Sequence, residues 1–184
     1  FIAEMDTQAW ATLKQMIAGK TNCPETSSMG RLFDAISSLL RLRDATNYEG
    51  QAAIELEQIA DHDCPQKYQF DLSDDQGIIR AQTVIRSAVE DILSGVPPAV
   101  ISAKFHLGVA DLIVSMALKI REQQQLNRVA LSGGVFQNMI LLRAACRGLS
   151  DAGFEVLSHS RVPANDGGIS LGQAAIANAL IQQQ

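Results

Sequence analysis

The spacing of apolar residues changes near residue 127 of this chain, and that change constrains the fold more than any other feature. From Thr7 to about Gln124 apolar residues recur at helical intervals. At Asn127–Leu131 they become a short continuous run that ends in Ser132-Gly133-Gly134, the profile of a buried strand bounded by a tight turn. Val135 to Leu149 then reads as a helix, Phe154 to Leu157 as a second strand and Gly167 to Leu180 as a closing helix. Strand, glycine loop, helix, strand, loop, helix implies parallel pairing through a helical crossover. The fold class is therefore α/β, with residues 1–125 mainly helical and residues 126–184 forming the α/β core.

The leading part divides at its breakers. Thr7–Ala18 is a helix with Trp10, Leu13 and Ile17 on one face, Asp6 or Thr7 as its cap and Gly19 as its stop. Gly30–Arg43 and Ala52–Ala60 follow as helices, Tyr68–Leu72 as a short strand and Ile78–Leu93 as a further helix. Pro97-Pro98 starts a long helix to about Gln124, since proline is tolerated in a first turn. Its inward residues are Val100, Ile101, Phe105, Val109, Leu112, Ile113, Met116 and Ile120.

With 184 residues, 47% hydrophobic and 19% charged, the chain suits one globular domain or one lobe of something larger. Its net charge of −5 and lack of a Lys/Arg cluster argue against a nucleic-acid surface. No apolar run approaches the ~18–20 residues of a bilayer span, so no membrane is expected. Cys23, Cys64 and Cys146 are odd in number and scattered, which fits a reducing, cytoplasmic setting better than a disulfide framework.

Two glycine-bearing turns could carry chemistry. In Leu131-Ser132-Gly133-Gly134-Val135-Phe136-Gln137-Asn138 a strand runs through two glycines into a helix start, where free N–H groups and the positive end of the helix dipole suit a phosphate. Asn138 then either bonds a sugar or base, or sits on a solvated face. In Val162-Pro163-Ala164-Asn165-Asp166-Gly167-Gly168, Asp166 is either the cap of the closing helix or an unobstructed metal ligand. Asp34 lies almost opposite its helix stripe and Glu55 at the edge of its own, and each faces either water or a cleft. His62 and Cys64 lack the further ligands of a zinc site. His106 on the long helix reads as packed or surface. No set of residues is assigned as catalytic.

In combination and order, these motifs resemble the carboxy-terminal end of the HypF-type hydrogenase-maturation carbamoyltransferases. The similarity includes Thr26-Ser27-Ser28-Met29-Gly30-Arg31-Leu32-Phe33-Asp34-Ala35, Tyr48-Glu49-Gly50-Gln51-Ala52-Ala53-Ile54-Glu55 and Phe105-His106, and continues from Asp166 through Ala174. The family's transferase domain is related to the TsaD-type tRNA threonylcarbamoyl transferases, and both resemble the sugar-kinase/Hsp70/actin fold with its nucleotide between two lobes. The tRNA family is the nearest alternative; there a Pro-Gly-Gly would stand at Glu49-Gly50-Gln51 and an Asp-Asn-Gly at Asp166-Gly167-Gly168. A non-catalytic interaction module is the other alternative.

The resemblance implies a carbamoyl group passed from a carbamoyl-adenylate, made from ATP at a separate domain, to the C-terminal cysteine of a HypE-type partner. That cysteine's carbamoyl group then becomes the cyanide ligand of a NiFe centre. By motif, Gly133, Gly134 and Asn138 hold the nucleotide, Asp34 binds ribose, Gly50 and Glu55 complete the adenosine pocket, and Asp166 is a metal ligand. The family's His-rich metal motif is absent, and His62, His106 and His159 do not match it. The first-lobe phosphate loop and adenylating domain are absent too. With a start at Phe1, the chain is expected to be the second lobe, with large helical insertions, of that two-lobed domain. The metal's histidines would come from the other lobe.

Overall fold

A computed structural model describes residues 6–24, 26–72 and 78–182. Its elements run α1 (Thr7–Ala18), α2 (Met29–Leu39), α3 (Gln51–Gln58), α4 (Gln82–Leu93), α5 (Pro98–Gln124), β1 (Arg128–Leu131), α6 (Met139–Asp151), β2 (Glu155–Ser158) and α7 (Ile169–Gln182). Short 3-10 turns at Gly134–Gln137 and Asp166–Gly168 precede α6 and α7. β1 and β2 pair in parallel with Val129 opposite Val156, so β1, α6 and β2 form the expected crossover unit.

Local chemistry explains most boundaries. Asp6 accepts the Gln8 and Ala9 N–H groups at 2.8 and 3.0 Å and so starts α1. Ser28 caps α2 through the Arg31 N–H. Pro98 opens α5, and Gln125 closes it in the left-handed region at φ 57°.

The core is the meeting of α2, α3, α5 and α6. Phe33, Ile36, Leu56, Ile101, Phe105, Leu141 and Leu149 are essentially fully buried. Each stabilises the fold by about 1.5–3 kcal/mol through removal from water. Phe33 and Phe105 meet edge to face with centroids 4.8 Å apart.

The amino-terminal half of α5 is buried nearly all round, from Ile101 to Leu112, while Ile120 of its far half is 45% exposed. By length and composition α5 could cross a membrane, with mean hydropathy 1.5 over its most apolar stretch, which corrects the expectation that no run would. Half of that stretch is buried inside this domain, as befits a core helix.

Four other expectations change. Tyr68–Leu72 is no strand. Its Tyr68 N–H donates to the Lys104 carbonyl of α5 at 3.0 Å, and only an isolated bridge joins Asp71 to Arg80. The backbone there runs so close to α5 that a Cβ on Gly108 would come within 2.6 Å of the Tyr68 carbonyl oxygen. The Tyr68 hydroxyl donates to Asp91 at 2.6 Å, and Lys104 bridges the same carboxylate. Burial pushes the Asp91 carboxyl up, but the bonds from Lys104 and Tyr68 outweigh it and hold it below the ordinary range. α4 begins at Gln82 rather than Ile78, and α2 ends at Leu39 rather than Arg43. The helix expected from Val135 is split: a 3-10 turn runs to Gln137, and α6 starts only after Asn138.

Candidate functional site

A cleft of about 260 Å3 lies where three elements meet. Gly30 and Phe33 of α2 form one wall. Gly50, Ala53, Ile54 and Glu57 form a second, and Gly134, Val135, Gln137 and Asn138 the third. Among the described residues, the charged ones on its lining are the carboxylates Glu49 and Glu57, with no Lys or Arg beside them. Apolar walls with acidic acceptors suit a nucleoside better than a phosphate. The volume lies just under the ~300–1,000 Å3 usual for small-molecule sites.

The two glycine turns adjoin each other beside this cleft. Gly133 takes φ 110° and ψ 156°, a region essentially restricted to glycine, and its N–H donates to the Ala164 carbonyl at 2.8 Å. Ser132 Oγ lies 2.9 Å from His159 Nε2, tying the ends of β1 and β2 together at the same place. The bend after Leu131 and the bend at Asp166 thus lie side by side.

The start of α6 is not the open phosphate cradle that the glycines suggest. Glu57 Oε1 accepts the Met139 N–H at 2.6 Å and the Ile140 N–H at 3.3 Å, and Asn138 Oδ1 accepts the Leu141 N–H at 2.9 Å. The first N–H groups of the helix are therefore already satisfied, partly by a carboxylate that also complements the helix dipole.

Gly50, Gly134 and Asn138 line the cleft, and Gly133 adjoins it. Asn138 is 8% exposed, so it is not on a solvated face. Its Oδ1 caps α6 and its Nδ2 lies 2.8 Å from His106 Nε2. Gly50 precedes α3 in the left-handed region at φ 81°. Asp34 follows Phe33 on α2 and is exposed.

Glu55 is turned away from the cleft. Arg43 donates to its two oxygens at 2.9 and 2.6 Å, and Gln51 donates at 3.0 Å. Those bonds, Arg43's first, hold the Glu55 carboxyl below its ordinary range. Gln51 also accepts the Asn47 N–H at 2.8 Å, so the group braces the turn that carries Gly50 from behind.

Asp166 is exposed in its 3-10 turn, and it is not the cap. Asn165 is, through Oδ1 to the Gly167 N–H at 3.1 Å. No group of three His, Cys, Asp or Glu side chains is placed to hold a metal among the described residues.

Sequence reasoning missed Phe33, Glu49 and Glu57 as site residues. A signal was present: Gly50, Ala53, Ile54 and Glu57 stand at i, i+3, i+4 and i+7, one helix face, whereas Glu55 falls on another. A second concavity of about 710 Å3, between the ends of α2, α4 and α5, is lined mainly by apolar residues such as Leu39, Val89, Ile92 and Pro98. It contains none of the predicted site residues.

Residues 1–173 match the family model described as the second subdomain of the carbamoyltransferase Kae1-like domain. A probable carbamoyltransferase HypF of Methanocaldococcus jannaschii is 32% identical over 165 residues, covering 88% of this chain and 21% of that protein. The carbamoyltransferase HypF of Synechocystis is 38% identical over 153 residues, covering 82% of this chain and 19% of its own. A full-length HypF crystallised in a phosphate- and nucleotide-bound form superposes with a TM-score of 0.92 at 41% identity, covering 98% of this chain and 24% of that one. The chain thus spans about a fifth of the length of each of these two curated relatives.

Proposed function

This chain belongs to the family of the carbamoyltransferase Kae1-like domain, as its second subdomain, and from that premise we propose that it forms one wall of a nucleotide site in a HypF-type carbamoyltransferase. The reading includes the two-lobed sugar-kinase-like architecture, a cytoplasmic setting, and transfer from a carbamoyl-adenylate to the C-terminal cysteine of a HypE-type maturation partner. In that transfer the cysteine thiolate attacks the carbamoyl carbon, the bond to the adenylate oxygen breaks, and AMP leaves with the electron pair. The relatives, of which this chain is a partial domain, are named carbamoyltransferases, and one was crystallised with nucleotide.

The observation that carries the proposal is the Gly133 N–H bond to the Ala164 carbonyl at 2.8 Å, which sets both glycine turns beside one cleft. Within it, Phe33, Ile54 and Val135 exclude water from the nucleoside, and Glu49 and Glu57 offer acceptors to its hydroxyl or amino groups. With no cation on the lining, the phosphates lie outside this cavity, toward the Gly133 and Asp166 turns. Asp34 is assigned to the ribose, and Glu55 acts indirectly by bracing the Gly50 turn.

For a metal ion the donors of this chain alone do not fit. Asp166 is a single exposed carboxylate, so no step is drawn through a metal, and Asp166 is proposed only as one ligand of a site completed by histidines of the preceding lobe.

The test is calorimetric titration of ATP, with a carbamoyl-transfer assay, on the full polypeptide carrying this chain. Ala53→Trp, which fills the cleft, is expected to remove the ATP binding of this domain and to leave that of the separate adenylating domain. Asp166→Ala is expected to keep binding and lose transfer. Undiminished ATP binding by the Ala53→Trp protein would refute the assignment.

A further inference from the structure

His106 is fully buried, yet the transfer just described makes no use of it. Its Nδ1 lies 2.8 Å from the Ser102 carbonyl oxygen, which can only accept, so Nδ1 carries the ring proton. Nε2 is then bare, and it lies 2.8 Å from Asn138 Nδ2, which can only donate. The other end of the Asn138 amide is fixed independently, because Oδ1 faces the Leu141 N–H, a donor. Both ends of the chain of bonds demand the same orientation, which leaves one tautomer and one amide setting.

The chain of bonds joins the walls of the cleft from behind. The Ser102 hydroxyl donates to the Leu56 carbonyl of α3 at 2.5 Å and lies 3.3 Å from His106 Nδ1. The imidazole also meets the ring of Phe33 edge to face at 5.2 Å. Phe33 and Asn138 both line the cleft, and His106 touches both without lining it. Asn138 Nδ2 has two hydrogens, of which His106 takes one; no other bond from this nitrogen is formed among the described residues.

We propose that His106 is a positioning residue: neutral and protonated on Nδ1, it holds the Asn138 amide so that the remaining Nδ2–H is offered to a hydrogen-bond acceptor of the bound ligand, a ribose oxygen or a ring nitrogen. This inference rests on the nucleotide reading of the cleft and adds to it the group that sets a donor's direction. Burial keeps the imidazole neutral by pushing its pKa down, against the Ser102 carbonyl and the nearby Glu57 carboxylate, which push it up. A proton on Nε2 would set two donors face to face and turn the amide away.

Three variants separate positioning from packing, all in the full polypeptide carrying this chain. His106→Phe fills the volume without an acceptor. His106→Asn keeps a donor to Ser102 but does not reach Asn138. His106→Gln returns an acceptor oxygen to the position of Nε2. Calorimetric titration of ATP, read at the site that Ala53→Trp removes, is expected to show about tenfold weaker binding for His106→Phe and His106→Asn, and binding within about threefold of wild type for His106→Gln, since one such bond accounts for roughly a tenfold factor. Nitrogen NMR of the wild-type imidazole is expected to show the Nδ1–H tautomer at neutral pH. An Nε2–H tautomer, wild-type affinity in His106→Phe, or His106→Gln as weak as His106→Phe would each overturn the positioning role and leave the nucleotide cleft standing. A full polypeptide whose ATP binding is untouched by Ala53→Trp would overturn the cleft reading itself and this inference with it.

Discussion

α6 and α7 are built on the same local plan and end in opposite circumstances. Each follows a parallel strand, a glycine-bearing bend and a 3-10 turn, and each plan includes an asparagine cap, Asn138 for α6 and Asn165 for the turn before α7. α6 buries Leu141, Ala145 and Leu149 against α5. α7 buries nothing, although nine of its fourteen residues are Ala, Ile or Leu and none is charged; Ile176 is 63% exposed and Ile181 71%. Sequence-local rules therefore specify where a helix starts, but its stabilisation comes from what lies against it. An uncharged helix with an apolar surface of this kind has the composition of a buried one.

The contrast can be broken most sharply in the two apolar faces. Leu149→Ala in α6 should cost about 2–5 kcal/mol in urea denaturation, from lost burial and the cavity left behind. Ile176→Ala in α7 should stay within about 0.5 kcal/mol for this chain. Equal losses would mean that α7 is packed after all.

The caps give a smaller difference. Asn138→Ala leaves the His106 Nε2 acceptor and the Leu141 N–H unpaired in a buried place and should cost about 1–3 kcal/mol. Asn165→Ala removes one turn bond and should cost about 0.5–1 kcal/mol. Gly133→Ala should fall in a similar range to the first, about 1–3 kcal/mol, because φ 110° with ψ 156° is strained for any side chain.

The smallest effect is the dependence on acidity. His106 titrates lower in the folded protein than its ordinary 6.5, so the unfolded chain binds the proton first. Stability from this group is full above pH 6.5 and is lost as pH falls from there through the depressed folded value. Comparing urea midpoints of wild type and His106→Gln across that interval isolates it; parallel curves would remove the buried imidazole as the cause.

Much of this was legible in the sequence. The change of period at Asn127 and the parallel crossover followed from spacing and turn chemistry, whereas a shared role for the two glycine bends came only with the family resemblance. Tyr68–Leu72 misled because its alternation reflects packing along α5 rather than a partner strand. The helix start after Gly134 misled because 3-10 and α-helical turns share a hydrophobic pattern over four residues. Glu57 was hidden for a different reason: its partners, Met139 and Ile140, are remote in sequence, and no local pattern announces a tertiary cap.

That remote cap has a consequence for assembly. The bond from Glu57 to the Met139 N–H closes a loop of 82 residues, so α6 acquires its full set of amino-terminal bonds only after α3 has been brought to it. A piece cut out at residues 126–158 would keep both strands and the crossover yet start its helix with exposed donors. That bond ties the helical part of the chain to the mixed part, and a cut at the change of period would remove it.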